Sequence, residues 1–311
     1  MLKLVCFLFS VTLNMAVCTP TDLDTRLSQM SRFRVGGSCS VPWGEGLYRG
    51  EIQSVEGEKL RVRVLDHGST LGEWPLITID KSAIFPPNFV KAESNQELIE
   101  SLKAVHILSS PSIEKTLIAI DRKWFCEETP YYDAAIDIGY DSCISSPHMH
   151  VWALELSRDH FKTARKILDV GSGSGYLVAA FADLAPNAHI YGLEYVEELN
   201  EKASRSILTY VPELAERITL LTQDGEAGYL PGSPYDIIHV GFMCHGIPKA
   251  LLDQLRPGGI LILPTAALKS PSSYDPRLER GVFTVVKKKP NGSIEQFPIM
   301  NCSYVPSKSK Q

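Results

Sequence analysis

Short apolar segments alternate with helical stretches from Ile167 onward, and this alternation restricts the possible folds more than any other feature of the chain. The apolar segments lie in KILDVG, HIYGLEY, ITLLTQDG, YDIIHVG and PGGILILP. Strands that are apolar throughout are typical of parallel sheets, because helices cover both faces of such a sheet. The intervening YLVAAFADLAP, VEELNEKASRSILTY and IPKALLDQL have helical patterns. We therefore predict an α/β fold with a doubly wound, mostly parallel sheet.

The pattern changes after Pro264. The stretch GVFTVVKKKPNGSIEQFPIMNCSYV predicts two strands joined by a turn at Asn291 and Gly292, with the lysines of KKK at the solvated end of the hairpin. The composition, with 44% hydrophobic and 22% charged residues, is that of an ordinary globular protein. A net charge of -5 supplies no broad basic surface, so we exclude nucleic acid as a partner.

The first 18 residues, MLKLVCFLFSVTLNMAVC, combine Lys3, an apolar run and small residues near Cys18, which is the pattern of a cleaved signal peptide. The segment is too short to span a bilayer. The alternative is a hydrophobic leader, or a start assigned upstream of the natural one at Met30. Cleavage after Cys18 would leave an odd set of widely spaced cysteines, which argues against a disulfide framework. We expect a cytoplasmic protein, or a secretory one if the leader is a true signal.

Residues 33–90 have a β pattern. GLYRGEIQSVEGEKLRVRVLDHGST alternates apolar and polar residues between turn signals, which predicts a small, strongly bent sheet or barrel. FPPNFVKAES has the composition of a linker. Ser94 and Glu97 then form a capping box before an apolar face. We therefore expect a helix to begin there and a second domain to occupy residues 94–306.

The first strand of the predicted parallel sheet leads into DVGSGSG, which contains Gly171, Gly173 and Gly175. Glycines at a strand-to-helix turn let a ligand approach the backbone and the N–H groups at the helix start. A dinucleotide site would have G-x-G-x-x-G, but a tyrosine follows the third glycine here. The G-x-G-x-G spacing with Asp169 ahead of it is typical of methyltransferases that bind S-adenosylmethionine.

Acidic residues end the next two predicted strands. Glu194 closes one in GLEY, where its carboxylate can accept both ribose hydroxyls of the cofactor. Asp224 closes the next, where it can accept from an adenine amino group, and Gly225 permits the turn. Either acid alone would more often be a helix cap or a solvated loop residue. Together, beside the glycine loop, they favour a cofactor site, to which we also assign Ser172.

Several longer motifs occur in order: ELIESL, CISSPHMHVWALEL, ILDVGSGSGYL, QDGEAGY, PYDIIHVG and IPKALLDQLRPGGILILP. They closely resemble the protein-L-isoaspartate (D-aspartate) O-methyltransferase family, from about Ser94 to Pro306. The resemblance implies a seven-stranded Rossmann-like methyltransferase fold. It also implies S-adenosylmethionine-dependent methylation of isoaspartyl carboxylates in damaged proteins or peptides, a repair reaction in which the ester collapses to a succinimide.

The resemblance further implies that Ser145, in the IS-x-P segment, is the active-site residue and that His150 lies near the cofactor. A carboxylate with a pKa of about 4 is ionised at neutral pH and can attack without a general base. The enzyme must instead align the displacement and exclude water. Pro147 would stiffen this segment. The alternative for Ser145 is a cap or turn serine, for which Ser146 is the better candidate.

Two residue pairs suggest other chemistry. His148 and His150 could indicate a metal, but residues two apart do not share a helical face, so we predict structural roles and no metal. Cys244 and His245 could form a thiol nucleophile, although adjacent residues rarely present such a pair correctly. Their loop, FMCHG, is bulkier than the family's loop of small residues and proline where the substrate backbone enters. Ser307 also departs from the family, which has leucine there.

In the N-terminal region, LYRGEI and VRVLDHGST resemble a Tudor domain, a fold that cages methylated arginine or lysine between aromatic rings. Tyr48 and Trp43 could line a cage. His67 and Ser69 replace the usual tyrosine and asparagine, so a purely structural barrel is an equal alternative. Three functions stay open: an isoaspartyl methyltransferase, a cofactor-binding adaptor without turnover, and a methyltransferase for another carboxylate. We favour the first, acting as a monomer.

Overall fold

The computed structural model of the 311-residue chain describes residues 38–43, 46–56, 59–64, 76–80, 92–104, 107–271 and 279–307. A separate N-terminal sheet consists of β1 (Ser38–Trp43), β2 (Gly46–Glu56), β3 (Lys59–Val64) and β4 (Leu76–Asp80). These strands pair in chain order, and each pair is antiparallel. The sheet agrees with the β pattern of residues 33–90. The leader of residues 1–18, most of the predicted linker, His67 and Ser69 lie outside the described residues.

Three helices and a hairpin follow along the chain. They are α1 (Asn95–Ala104), α2 (Pro111–Ala119), the hairpin of β5 (Ile136–Gly139) and β6 (Ser142–Ile144), and α3 (Pro147–Ser157). The predicted cap of α1 is confirmed, because the Ser94 hydroxyl accepts a hydrogen bond from the Glu97 N–H at 3.2 Å. The buried residues of α1, Leu98, Ile99 and Leu102, form the expected apolar face.

The second sheet contains the remaining strands, which are β7 (Lys166–Val170), β8 (His189–Glu194), β9 (Ile218–Thr222), β10 (Tyr235–Val240), β11 (Leu255–Pro271), β12 (Glu279–Lys288) and β13 (Ile294–Tyr304). Their order is β13-β12-β11-β10-β7-β8-β9. The strands from β9 through β8, β7 and β10 to β11 are parallel. β12 and β13 are antiparallel to their neighbours. The predicted doubly wound, mostly parallel sheet of seven strands is therefore confirmed.

Three helices connect the parallel strands: α4 (Tyr176–Leu184), α5 (Glu197–Tyr210) and α6 (Lys249–Gln254). The chain order reverses at β7, because β8 and β9 lie on one side of it and β10 and β11 on the other. The loops that follow β7 and β10 therefore diverge and leave a crevice at the carboxyl ends of the strands. At its floor the Gly241 N–H donates to the Val170 carbonyl oxygen at 2.8 Å.

Both faces of the second sheet are buried, as the apolar strand pattern predicts. In β10, Ile237 belongs to one hydrophobic cluster and Ile238 to another, and Ile167 and Leu168 of β7 divide in the same way. Successive side chains of a strand point to opposite faces, so the two clusters are the two helix-covered sides of the sheet. Each such fully buried side chain contributes about 1.5 to 3 kcal/mol. No helix in the described part of the chain is long and apolar enough to cross a membrane.

The hairpin of β12 and β13 turns at Asn291 and Gly292, as predicted. The Gly292 N–H donates to the Lys289 carbonyl at 2.8 Å, and Gly292 has a φ of +83°. The lysines at this end are less solvated than expected, because Lys288 Nζ donates to the carbonyl oxygens of Leu252 and Leu255 at 2.7 Å each. A cation suits this position, since these carbonyls lie at the carboxyl end of α6.

Candidate functional site

A cleft lies in the crevice at the carboxyl ends of β7, β8 and β10, and it has two connected parts. We call the first the Ser145 cavity, and its walls come from the segment before α3 and the loop after β7. The residues that line it are Cys143, Ile144, Ser145, His150, Asp169, Gly171, Ser172, Gly173, Ser174, Tyr176, Leu177, His239 and Gly241. The structure thus brings together six of the predicted residues. Ser145 and His150 lie just before and within α3, and Asp169, Gly171, Ser172 and Gly173 lie at the end of β7 and in the loop after it.

The second part, the Glu194 cavity, shares Cys143, Gly171, Gly173 and Gly241 with the first. Its other lining residues come from the ends of β8, β9 and β10 and from the C-terminal segment, and they are Ser142, Leu193, Glu194, Tyr195, Asp224, Gly225, Phe242, Val305, Pro306 and Ser307. The two cavities are therefore adjacent.

The glycine loop has the backbone conformation that its sequence suggests. Gly171, Gly173 and Gly175 have φ values of +76°, +51° and +83°, a region that residues with a Cβ rarely adopt. Gly171 and Gly173 line the cleft. Gly175 does not line either cavity; it precedes α4, and a Cβ there would lie 2.9 Å from the Cβ of Ala203 in α5. Its role is therefore to let two helices pack closely.

Glu194 is the last residue of β8 and is 7% exposed. One carboxylate oxygen, Oε2, accepts from the Gly173 N–H at 2.9 Å, and Oε1 accepts from the Val196 N–H at 3.0 Å. Each carboxylate oxygen can accept a second hydrogen bond. The backbone thus orients Glu194 and leaves acceptor capacity for hydroxyl groups in its cavity.

Asp224 lies two residues beyond β9, and its Oδ1 accepts from the Glu226 N–H at 3.0 Å. Gly225, next to it, does not have a positive φ. A Cβ at this position would instead lie 2.3 Å from Val170 Cγ1. The reason for this glycine is therefore close packing against β7, and the turn itself would accept another residue.

Asp169 and His239 form a buried pair at the floor of the Ser145 cavity. His239 Nδ1 lies 2.7 Å from Asp169 Oδ1, and the two residues are 5% and 2% exposed. They are direct neighbours in the register of β7 and β10. His239 was not identified from the sequence. Its only signal was a polar residue that follows the apolar pair Ile237 and Ile238 within the strand.

Ser145 and Ser146 have different environments. Ser146 precedes α3 as its N-cap residue, and its carbonyl oxygen accepts from the N–H groups of Met149 and His150. Its side chain makes no capping hydrogen bond. Ser145 instead lines the cavity that bears its name. Burial raises the pKa of the Tyr304 phenol, while a side-chain hydrogen bond with Ser145 opposes that rise. Tyr304, on β13, was not identified from the sequence.

The two histidines of the PHMH segment have separate partners. His148 Nδ1 lies 2.9 Å from the buried carboxylate of Asp133, whereas His150 Nδ1 lies 3.1 Å from Nη1 of Arg122. Among the described residues, no three His, Cys, Asp or Glu side chains form a group that could hold a metal ion. Burial and the neighbouring Arg122 charge lower the pKa of His150 well below its ordinary value. His150 is therefore neutral at physiological pH.

The loop after β10 does not contain a Cys-His nucleophile. Cys244 is buried, and burial raises the pKa of its thiol to about 12. His245 points to the surface, where its Nε2 lies 3.3 Å from Glu279. A thiol with this pKa stays protonated and unreactive at neutral pH.

The same loop obstructs the cleft less than its composition suggests. Met243 is fully buried, and its N–H donates to the Val305 carbonyl at 2.8 Å. The Cys244 N–H donates to the Pro264 carbonyl at 2.9 Å. Of the four residues 242–245, only Phe242 lines the cleft. Bulky side chains therefore do not fill the position expected for the substrate, because two of them belong to the core.

The cleft retains polar groups that a ligand could satisfy. The Ser172 hydroxyl is buried in the cleft wall and has no hydrogen-bond partner among the described residues. Buried polar groups are normally paired, so an unpaired hydroxyl here indicates that a polar ligand supplies its partner. Together with the free acceptor capacity of Glu194, this fits a ligand that carries both hydroxyl and charged amino-acid groups.

Comparisons with known proteins identify similar chains. A family model described as protein-L-isoaspartate (D-aspartate) O-methyltransferase matches residues 93–311. The protein-L-isoaspartate O-methyltransferase of Caenorhabditis elegans is 35% identical over 221 residues, which cover 70% of this chain and 94% of the relative. The enzyme of the same name from Triticum aestivum is 35% identical over 225 residues, covering 70% of this chain and 93% of the relative.

A solved structure shares the fold of this region. It is a crystal structure from Plasmodium falciparum, assigned as a protein-L-isoaspartate O-methyltransferase, in complex with S-adenosyl-L-homocysteine. The match has a TM-score of 0.62 and 27% sequence identity, and it covers 70% of this chain and 99% of that one. The solved chain is therefore matched over almost its whole length.

Proposed function

The chain belongs to the protein-L-isoaspartate (D-aspartate) O-methyltransferase family, and we propose that the two-part cleft is its methyl-transfer site. The protein is an S-adenosylmethionine-dependent carboxyl methyltransferase that acts on isoaspartyl residues in damaged proteins and peptides. The observation that carries the proposal for the site is the shared wall of Gly171 and Gly173. Because the two cavities are adjacent, a cofactor held at Glu194 would extend past these glycines towards the cavity that contains Ser145.

The proposed cofactor residues divide between the two cavities. In the Glu194 cavity, Glu194 would accept hydrogen bonds from ribose hydroxyls and Asp224 would accept one from an adenine amino group. Gly225 would let the chain beside Asp224 pack closely against β7. In the Ser145 cavity, the bound group would contact His150, Asp169, Gly171, Ser172 and Gly173, while Gly175 shapes the loop behind them. S-adenosylmethionine supplies an electrophilic methyl group when it is bound.

Ser145 is proposed to orient the isoaspartyl carboxylate. Its hydroxyl can donate to one carboxylate oxygen, which leaves the other oxygen free as the nucleophile. A neutral hydroxyl does not quench the negative charge as a lysine would. None of the residues described as lining either cavity is a lysine or an arginine. The carboxylate therefore stays reactive, and catalysis consists of alignment and the exclusion of water.

The test uses matched isoaspartyl and aspartyl peptides with labelled S-adenosylmethionine. We expect label only on the isoaspartyl peptide. Ser145→Ala removes a hydrogen bond to a charged group, which is worth about 1.5 to 3 kcal/mol, so kcat/KM should fall roughly 10- to 100-fold. Ser146→Ala is the matched control, because the Ser146 side chain makes no capping bond and does not line the cleft.

Other outcomes would support the alternatives. If S-adenosyl-L-homocysteine binds but label reaches neither peptide, the protein is a cofactor-binding adaptor without turnover. If label reaches aspartyl or other carboxylates equally, the substrate is a different carboxylate. Equal activity of the Ser145→Ala variant and the wild type would remove Ser145 from the mechanism while leaving the family activity intact.

We also propose that β1 to β4 belong to a Tudor-like domain in residues 33–90. The four antiparallel strands in chain order support this assignment. Its ligand would be a methylated arginine or lysine side chain in a peptide. Titration of labelled methylated and unmethylated peptides against the full chain tests this, and equal lack of binding would leave a purely structural barrel.

A cytoplasmic location is a further part of the proposal. Four cysteines, Cys126, Cys143, Cys244 and Cys302, are free thiols, which is typical of a reducing compartment. The proposed state is a monomer. Microscopy of the tagged full chain tests the cytoplasmic location, which a processed, secreted product would contradict. Sedimentation of the full chain tests the monomeric state.

A further inference from the structure

Arg122 is a buried cation that the proposed chemistry does not use. It lies in a short 3₁₀ helix, Arg122–Trp124, and is 1% exposed. Its hydrogen bonds go to neutral acceptors, and no carboxylate of the described residues lies within ion-pair distance of it. Buried charges are normally paired with an opposite charge, because desolvation costs several kcal/mol. A buried guanidinium without such a partner therefore requires another explanation.

Arg122 contacts two residues that line the Ser145 cavity. Nη2 donates to the carbonyl oxygen of Ser145 at 2.8 Å, and Nη1 lies 3.1 Å from Nδ1 of His150. The guanidinium also lies over the Tyr176 ring, 5.7 Å from its centroid. Its Nε is buried without a partner in the described part of the chain. One side chain thus holds both the main chain of the active-site serine and the imidazole beside it.

The contact with His150 determines which imidazole nitrogen carries the proton. A guanidinium has only donors, so His150 Nδ1 must be the acceptor of this hydrogen bond. The proton of a neutral imidazole then resides on Nε2. The low pKa of His150 agrees with a neutral ring. No described residue forms a hydrogen bond with Nε2, and His150 lines the cavity, so the Nε2–H donor is available to a ligand.

We propose that Arg122 is a positioning residue that holds His150 as the Nε2–H tautomer, so that the imidazole donates a hydrogen bond to a carboxylate oxygen in the Ser145 cavity. The identity of the carboxylate rests on the proposed function: it belongs either to the isoaspartyl side chain or to the amino-acid end of S-adenosylmethionine. Arg122 interacts electrostatically with Asp133 but forms no direct ion pair with a carboxylate of the described residues, so its charge behind the cavity wall favours an anion over a neutral group. A lysine could not replace it, because a single ammonium cannot span both acceptors in this planar arrangement.

The first test measures the tautomer in the full chain and requires no turnover. Long-range ¹H–¹⁵N correlation spectra of protein with ¹⁵N-labelled histidine distinguish a protonated from an unprotonated ring nitrogen, and His150→Gln identifies the signal. We expect the wild type to show His150 with an unprotonated Nδ1 and a protonated Nε2. A protonated Nδ1 in the wild type would overturn the proposal, even if every Arg122 variant failed to fold.

Arg122→Met then tests whether Arg122 is the cause. We expect the folded variant to lose the single Nε2–H state and show Nδ1–H as well, whereas an unchanged tautomer would overturn the assignment. Arg217→Met is the matched control, because Arg217 also donates to main-chain carbonyls, those of Ala182, Ala185 and Ala188, and does not line the cleft.

The second test identifies the source of the carboxylate. His150→Phe removes the donor, and His150→Gln keeps an N–H group. Loss of a hydrogen bond to a charged acceptor should weaken its ligand roughly 10- to 100-fold. Weaker binding of S-adenosyl-L-homocysteine by His150→Phe indicates the cofactor carboxylate, and a raised KM for the isoaspartyl peptide alone indicates the substrate. Partial recovery of the affected value in His150→Gln supports the donor role. If His150→Phe changes neither the affinity for S-adenosyl-L-homocysteine nor the KM for the peptide, the donor role is excluded. Cofactor binding and the tautomer stay measurable if no peptide is methylated.

Discussion

At the scale of single residues, the cleft shows how a partner determines the state of a side chain. His150 and His239 are both buried in the Ser145 cavity. His150 faces the guanidinium of Arg122, while His239 Nδ1 lies 2.7 Å from the carboxylate of Asp169. The guanidinium can only donate, so His150 Nδ1 accepts, whereas a carboxylate oxygen accepts, so His239 Nδ1 donates. Two residues of one type therefore present different donors and acceptors within one cavity.

The lowered pKa of His150 predicts a pH-dependent stability. Burial is the main cause, and the charges of Arg122, His239 and His148 add to it. In the unfolded chain a histidine titrates near a pKa of about 6.5. Below that pH the unfolded state binds a proton that the folded state does not, so stability falls as pH falls. Between about pH 7.5 and 5.5 this contributes a loss on the order of 1 kcal/mol.

Urea unfolding of the wild type and the His150→Gln variant at these two pH values checks this prediction. The variant should lose less stability than the wild type on acidification, by on the order of 1 kcal/mol, because glutamine does not titrate. His245→Gln is the control, since His245 is exposed. Identical losses in the wild type and His150→Gln would show that His150 is protonated in the folded state over this range.

At the scale of elements, the loop between β7 and α4 must satisfy the cofactor and the helix packing at once. Gly171 and Gly173 face the cleft, whereas Gly175 lies where α4 meets α5. The Gly171 and Ser172 N–H groups both donate to the Leu193 carbonyl, at 2.8 and 2.9 Å. The loop is therefore held to the end of β8, next to Glu194, before any ligand binds.

Gly175→Ala should destabilise the protein for two separable reasons. Its φ of +83° costs a residue with a Cβ about 1 to 2 kcal/mol. The new Cβ would also lie 2.9 Å from Ala203 Cβ, and such overpacking adds about 1 to 3 kcal/mol. In an Ala203→Gly background the same substitution should cost only the backbone part. Equal losses in the two backgrounds would contradict the steric explanation.

Gly292→Ala is the matched comparison for this prediction. Gly292 also has a φ of +83°, but nothing lies within 4 Å of a Cβ built there. Urea unfolding should therefore show the backbone cost alone, about 1 to 2 kcal/mol. A loss as large as that of Gly175→Ala would mean that the conformation, and not the contact with α5, accounts for both.

At the scale of the whole molecule, the family match covers only part of the chain. The family model matches residues 93–311, and every residue described as part of the larger hydrophobic cluster lies at or after Ala92. The residues that line both cavities lie between 142 and 307. A chain that begins at residue 92 should therefore fold and methylate isoaspartyl peptides with the kcat/KM of the full chain. Retained folding with loss of activity would show that the N-terminal region contributes to the site.

Much of this structure follows from local sequence. The apolar segments predicted the parallel strands because burial on both faces requires apolar residues throughout. DVGSGSG predicted the strand-to-helix turn, and Asn291 with Gly292 predicted the hairpin turn, because both turns need backbone conformations that few residues other than glycine adopt. Glu194 was identifiable because it ends a strand beside the glycine loop.

Only the tertiary structure determined the supporting residues of the cleft. Arg122 contacts a residue 23 positions away, and His239 pairs with Asp169 across 70 positions. Met243 and Cys244 are bulky in the sequence but belong to the core in the fold. Local periodicity reports which side of an element is buried, but hydrogen bonds depend on which elements become neighbours. The sequence alone therefore determined the fold and the cofactor loop, and the packing of distant elements decided how the histidines and Ser145 are held.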